Sequence, residues 1–218
     1  MKISSRLERV ASYVPDDSSL IDVGCDHALL DIYLYNNRNN IQIIASDINE
    51  KPLSIAKSNI KKNGLEGKIK VILNDGIKNI PSDIDTVVIS GMGGILISDI
   101  LKDKNNLKNI KNIVLAPNND FPKVRKILWK NHFKIIKEEL LTEKNITYLI
   151  IKAIPGKEKK NNYFFGTLNS KDLEVIYYYT KLLNTNTNII KKLPKKYFVK
   201  KIKLKIENKR IKCFLEKH

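Results

Sequence analysis

The sequence predicts an α/β fold: a doubly wound, mostly parallel seven-stranded sheet that ends in an antiparallel hairpin and carries a small C-terminal helical extension. Three observations predict it. Five short β-branched runs each finish in a polar or glycine-containing turn, helix-like segments of about 10 to 15 residues separate most of them, and the last two strand-like runs have no helix between them.

After a short helical start, Ser4 to Tyr13, SSLIDVG reads as a strand with its turn and ALLDIYLYNN as the following helix. QIIASD and KPLSIAKSNIKKNG repeat the pattern, with Pro52 suited to a first helical turn and Gly64 to a C-terminal stop. IKVILND supplies a third strand, DTVVIS with GGILISDILK a fourth strand and its helix, and NIVLAP with FPKVRKILWKN a fifth pair. From about residue 134 the rhythm changes. KIIKEELLTEK and ITYLIIKAI, joined by a short turn around Lys144 and Asn145, predict an antiparallel hairpin. A sheet that closes this way has the Rossmann-like layout of class I methyltransferases, whereas a nicotinamide-binding domain usually continues with another parallel strand.

PGKEKKNN marks a linker near residue 155, so the expected division is a domain over 1–155 and a basic, mainly helical extension over 156–218. Within the extension SKDLEVIYYYTKLL has helical spacing. A second basic segment begins at Ile189 and is interrupted by Pro194, and its stretch YFVKKIKLKI alternates apolar and basic residues as a strand would. Three consecutive tyrosines, Tyr177 to Tyr179, cannot share one helical face, so one or two belong in a core.

The composition, 42% hydrophobic in 218 residues, is that of a globular chain with a real core. No stretch approaches the roughly 18 apolar residues of a membrane span, and MKISSRLERV has no apolar run of a signal peptide, which makes the cytoplasm the expected location. Cys25 and Cys213 have neither the number nor the spacing of a disulfide framework or a zinc site, and no metal is expected. Forty basic against 23 acidic side chains leave a formal charge of +17, which favours a polyanionic partner. The charge is uneven: residues 156–218 hold 17 basic and five acidic side chains, a net +12, against +5 for the rest.

In a doubly wound sheet the ligand sits at the carboxyl ends of the strands, where the first strand-to-helix turn approaches it most closely. Here that turn is Asp22-Val23-Gly24-Cys25-Asp26-His27-Ala28, with one glycine where a dinucleotide fingerprint needs three and two aspartates that repel phosphate. S-adenosyl-L-methionine suits such a turn, because it has no phosphate and carries a sulfonium and an amino group. The alternative is an ordinary loop with Asp26 as helix N-cap. Asp47, ending the second strand and followed by Ile48, is placed to accept both ribose hydroxyl protons. Asn74-Asp75-Gly76 ends the third strand, where Asp75 can meet the adenine amino group, although N-D-G alone is more often just a turn. Ser90-Gly91-Met92-Gly93-Gly94 ends the fourth, and three glycines there leave backbone uncovered for a close approach.

Through ISSRLERVASYVP, DVGCDHALL, NDGI, SGMGG and LAPN the chain resembles the bacterial tRNA (adenine-22-N1)-methyltransferases over residues 3 to about 154. The resemblance implies a Rossmann-like methyltransferase domain and a helical, coiled-coil-like extension that engages tRNA. It supports Asp22, Gly24, Asp26 and His27 around the methionine end of the cofactor, with Cys25 in the same turn. It also supports Asp47 at the ribose, Asp75 near adenine, and Gly91 to Gly94 lining the active site. Two departures stand out: Leu29 replaces a tyrosine of the family pattern D-H-A-Y-L-P, and Ala116 stands where glutamine is common. The extension matches mainly in FFGTL.

The implied reaction is methylation of N1 of an adenine in tRNA, with S-adenosyl-L-homocysteine as product and no metal. N1 keeps its lone pair at neutral pH, so the protein must supply alignment and stabilise positive charge on the purine rather than remove a proton. Asp26 and Asn118 are the candidates near the amino group, with His27 orienting; Arg6, Gly94 and Asn118 are the candidates for substrate contact. No membrane and no obligate protein partner is expected. A noncatalytic RNA-binding protein on the same fold, and a methyltransferase acting on another nucleotide or a small molecule, are the competing readings.

Overall fold

A computed structural model describes residues 2–157 and 163–216, so residues 158–162 of the expected linker lie outside the described residues. The chain divides into two compact units, Met1–Gly166 and Thr167–His218. In chain order the first contains α1 (Ser5–Tyr13), β1 (Ser19–Val23), α2 (Leu29–Asn37), β2 (Gln42–Asp47), α3 (Glu50–Lys62), β3 (Ile69–Leu73), β4 (Thr86–Ser90), α4 (Gly94–Ile100), β5 (Asn112–Ala116), α5 (Phe121–Lys130), β6 (Phe133–Glu143) and β7 (Ile146–Pro155). The second contains α6 (Leu173–Lys192) and α7 (Phe198–Leu215).

The seven strands form one sheet in the order β3-β2-β1-β4-β5-β7-β6. The first five pair in parallel, and β7 runs antiparallel to both β5 and β6. The chain winds outward from β1 through β2 to β3 and then returns to β4 on the other side of β1. That reversal opens a crevice at the carboxyl ends of β1 and β4, the place where ligands bind in such sheets. Register brings the strand ends level: Val23 lies opposite Ser46 of β2 and Ile89 of β4.

Sequence explains the elements. β1, β4 and β5 are covered on both faces, so they read as unbroken apolar runs, and Leu20, Ile21, Val87, Val88, Ile89 and Ile113 to Leu115 are completely buried. Each such side chain contributes about 1.5–3 kcal/mol relative to leaving it in water. One face of the sheet is covered through Val10 and Ala11 of α1, Leu30, Ile32 and Leu34 of α2, and Leu53, Ala56 and Ile60 of α3. Helix α1 is capped by the Ser4 side chain, which accepts a hydrogen bond from the Leu7 N–H. Glu50 and the Lys61–Lys62 pair complement the dipole of α3, which stops before Gly64.

Arg125 of α5 and Glu138 of β6 form an ion pair at 2.8 Å with both side chains out of water, at 2% and 0% exposure. The same guanidinium donates from Nη1 to the carbonyl oxygens of Tyr163 and Phe164 at 3.1 and 2.9 Å. Trp129 meets Tyr163 edge-on at 5.8 Å.

In the second unit Asp172 caps α6 by accepting from the Glu174 N–H at 2.9 Å. Tyr179 is buried while Tyr177 is 49% exposed, the split that three adjacent tyrosines require. The alternating stretch YFVKKIKLKI is helical, not extended. Lysine is a good helix former, and helix α7 gains its anchor through Ile211, which is buried, and Phe214, which meets Tyr179 edge-on at 5.4 Å. Phe198, Val199, Ile202 and Ile206 of α7 stay exposed. Among the described residues no helix is long and apolar enough to cross a membrane.

Candidate active site

The carboxyl ends of β1, β2 and β4 open onto a cavity of about 350 Å³. Asp22, Gly24, Cys25, Asp26 and His27 line it from the first turn, Asp47 from β2, and Ser90, Gly91 and Met92 from the fourth strand end. Arg6 and Leu7 of α1, Leu29 and Leu30 of α2 and Tyr148 of β7 complete the wall. The first turn folds over the neighbouring strand, where the N–H groups of Gly24 and Cys25 both donate to the Ser46 carbonyl, at 2.8 and 2.9 Å. Gly24 has φ +75°, so the position needs glycine for its backbone, and a Cβ there would fall 2.1 Å from Cε of Met92, the mobile end of that side chain. Asp26 (φ 50°) and Ala28 (φ 55°) are also left-handed, which costs about 1–2 kcal/mol at a residue with a Cβ. The side chain of Asn59 pins this turn by donating to the His27 carbonyl at 3.0 Å.

Asp22 is 3% exposed. Burial, with the Asp47 charge beside it, pushes its carboxyl up to about 7 against the opposing pull of Arg6. Asp47 accepts the Asn49 N–H at 2.9 Å through Oδ1, while among the described residues Oδ2 accepts no hydrogen bond. Asp26 is exposed, with Oδ1 3.6 Å from Nδ1 of His27. Arg6 donates to the Ser90 hydroxyl, and its guanidinium lies over the Tyr148 ring, 4.9 Å from the centroid.

The other candidates lie outside the wall. Gly94 opens α4, its N–H donating to Oδ1 of Asn119 at 2.9 Å, and a Cβ on it would come within 2.5 Å of the Asn119 carbonyl oxygen. Gly93 packs beside the same Asn119 side chain. Asn118 is tied to the glycine-rich turn by its N–H to the Met92 carbonyl at 3.1 Å, and its Oδ1 is buried without a partner. Ile48 is 62% exposed. Asn74 donates to the Gly76 carbonyl at 3.0 Å and Asp75 pairs with Lys78 at 2.5 Å, a self-contained turn beyond the cavity wall. Tyr148 and Asp31 were not among the sequence candidates. Tyr148 sits in an unmarked strand, but a carboxylate in the apolar run ALLDIYL is a visible anomaly.

A cavity of this size lies within the range of small-molecule sites, and its charge pattern can be compared with that of a donor bearing a sulfonium and an amino group. Carboxylates of Asp22, Asp26 and Asp47 face it, one open acceptor remains on Asp47, and no phosphate-binding glycine cluster is present at the first turn. The residues fit S-adenosyl-L-methionine. A methyltransferase-domain family profile matches residues 3–151. The tRNA (adenine(22)-N(1))-methyltransferase of Bacillus subtilis is 35% identical over 158 residues, covering 72% of this chain and 66% of that protein. The chain belongs to the bacterial tRNA (adenine-22-N1)-methyltransferase family. Its fold superimposes with a TM-score of 0.88 on Mycoplasma capricolum TrmK in complex with S-adenosyl-homocysteine, at 29% identity and 99% coverage of both chains. A Streptococcus agalactiae protein of the NADB-Rossmann superfamily matches with a TM-score of 0.93 and 33% identity, over 99% of this chain and 98% of the other.

Proposed function

We infer that this chain is an enzyme that transfers a methyl group from S-adenosyl-L-methionine to N1 of adenine 22 in tRNA. The observation that carries this reading is the acid-lined cavity at the ends of β1, β2 and β4, in a chain of this family. The bound donor supplies an electrophilic methyl carbon: a bond forms from N1 to that carbon, the carbon–sulfur bond breaks with its electron pair left on sulfur, and positive charge moves to the purine.

The chain's own groups bind and orient. Asp47 accepts from the ribose hydroxyls through its open oxygen, and Asp22 with Asp26 faces the methionine end. Cys25, Ser90, Gly91 and Met92 shape the floor. Ile48, Asn74, Asp75 and Gly76 are assigned to the adenine end, which requires the β3 turn to approach once the cofactor is in place. Asp26 and the unpartnered Oδ1 of Asn118 are the acceptors for charge developing beside N6, with His27 steadying Asp26. The Arg6 guanidinium over the Tyr148 ring offers a surface to an adenine turned out of the tRNA, the role left open by Leu29. The basic extension, 156–218, grips the tRNA backbone.

Incubation with unmodified tRNA and labelled donor, followed by mass spectrometric mapping, tests the reading: label is expected on N1 of adenine 22, and an unlabelled tRNA would sink it. Asp47→Ala is expected to weaken donor binding by about 1–3 kcal/mol, the range for stranding hydrogen-bonded groups, with the fold intact. Calorimetry on the folded variant checks this, and unchanged affinity would remove Asp47 from the site.

A further inference from the structure

Behind the cavity wall lies a second acid. Asp31, in the first turn of α2, is 0% exposed between the buried Leu30 and Ile32, and it does not line the cavity. Among the described residues no donor reaches either oxygen of its carboxyl, and the acid set against it is that of Asp22. Two carboxylates have only acceptors, so the contact itself requires a proton between them. Among the described residues no Lys or Arg forms an ion pair with either acid.

We propose that Asp31 is a positioning residue for the cofactor: held as a neutral acid, it donates a hydrogen bond to the Asp22 carboxyl, which favours the ionised form of that group and keeps it aimed into the cavity. The proposal rests on the reading that Asp22 meets the cationic methionine end of S-adenosyl-L-methionine. The surroundings agree on which acid keeps the proton. Asp31 is sealed at 0% exposure behind the wall while Asp22 is on the wall itself; burial raises both acids, and at Asp22 the Arg6 guanidinium opposes the rise. The other groups facing the pair are Arg6 from α1, Asp47 from β2 and, in the first turn, the Cys25 thiol.

The arrangement costs stability with a definite pH signature. An acid whose folded value is raised contributes stability that is fully present below its unfolded value, near 3.9, and lost as pH rises through the folded value. Removing the titrating group therefore helps the fold most at high pH. Asp31→Asn is expected to raise the thermal midpoint at pH 8 by about 2–4 °C, and by less at pH 5.

Binding gives the complementary test, by calorimetry with S-adenosyl-L-methionine at each pH from 6 to 8.5, so that the donor's own titration cancels between variants. Asp31→Asn keeps an N–H donor and should stay within about twofold of the parent, because the amide replaces a neutral acid in the same geometry. Asp31→Leu removes the donor. Its affinity at pH 7 should fall about tenfold or more, the scale of a missing hydrogen bond to a charged group, and its half-maximal affinity should move to higher pH. A folded Asp31→Leu protein that binds like the parent at every pH would overturn the positioning role, as would an Asn variant as weak as Leu. A midpoint difference constant from pH 5 to pH 8 would overturn the shared proton. A parent protein that binds no donor at all would instead overturn the cofactor reading on which the proposal rests.

Discussion

Replacing Arg125 with alanine is expected to destabilise the Met1–Gly166 unit by about 3–5 kcal/mol, the cost of leaving one half of a buried ion pair without its partner. Glu138 would keep its charge at 0% exposure with the guanidinium gone, and the carbonyls of Tyr163 and Phe164 would lose their shared donor. Gly166 packs directly against the pair: a Cβ on it would fall 1.8 Å from Oε1 of Glu138 and 2.4 Å from Nε of Arg125. Urea unfolding followed by fluorescence reads the effect, since the chain has one tryptophan and Trp129 stands next to Tyr163. The double variant Arg125→Met with Glu138→Leu should recover much of the loss, because apolar pairs of similar volume replace buried ion pairs at little cost. A single variant within 1 kcal/mol of the parent would mean that the pair does not hold this corner.

That clamp was not legible in the sequence, and the reason is general. Arg125 and Glu138 each look like an ordinary surface charge on an amphipathic element, and only the tertiary course of residues 163–166 buries them. The sheet, by contrast, could be read almost strand for strand, because parallel strands covered on both faces must be apolar throughout and end in turns. The hairpin was legible for a different reason: two strand-like runs with nothing helical between them have no route to a parallel pairing. Alternation misleads in α7, where period-two spacing coexists with a helix anchored through Ile211 and Phe214.

The site divides along the same line. Asp22, Gly24, Asp47 and Gly91 lie at or just past strand ends, so a topological rule finds them and the cavity wall contains them. Tyr148 enters from β7 of the hairpin and Arg6 from the N-terminal helix, and their meeting depends on α1 packing against β7, a helix and a strand far apart in sequence. Asp31 carries a signal that patterning alone discards, an acidic side chain inside an apolar helical run. Asn74 to Gly76 follows the strand-end rule too, yet the turn satisfies itself through the Lys78 pair and the Gly76 carbonyl.

Exchange of Lys200, Lys203, Lys205, Lys209 and Lys212 for glutamine is expected to weaken tRNA binding far more than any single change in the catalytic unit. All five are exposed on α7, in a tail that carries +12 of the chain's +17. Glutamine matches lysine in helix propensity, so the helix should persist while the charge goes. A phosphate that no lysine neutralises keeps its counterion on binding, so each exchange at a phosphate makes the slope of log affinity against log salt shallower by about 0.7–0.9. If all five lysines face phosphates, affinity at physiological salt should fall on the order of 10³-fold and the slope should flatten by about 4. Donor binding should not change, since the cavity wall contains none of these residues. The decisive comparison is a second variant with Lys51, Lys57, Lys61, Lys62 and Lys68 exchanged in the same way, equal in net charge but placed on and after α3. If location matters, only the α7 set flattens the slope strongly. Equal weakening from both sets would mean that tRNA responds to total charge alone, and that the basic tail is no grip but a by-product of a lysine-rich composition.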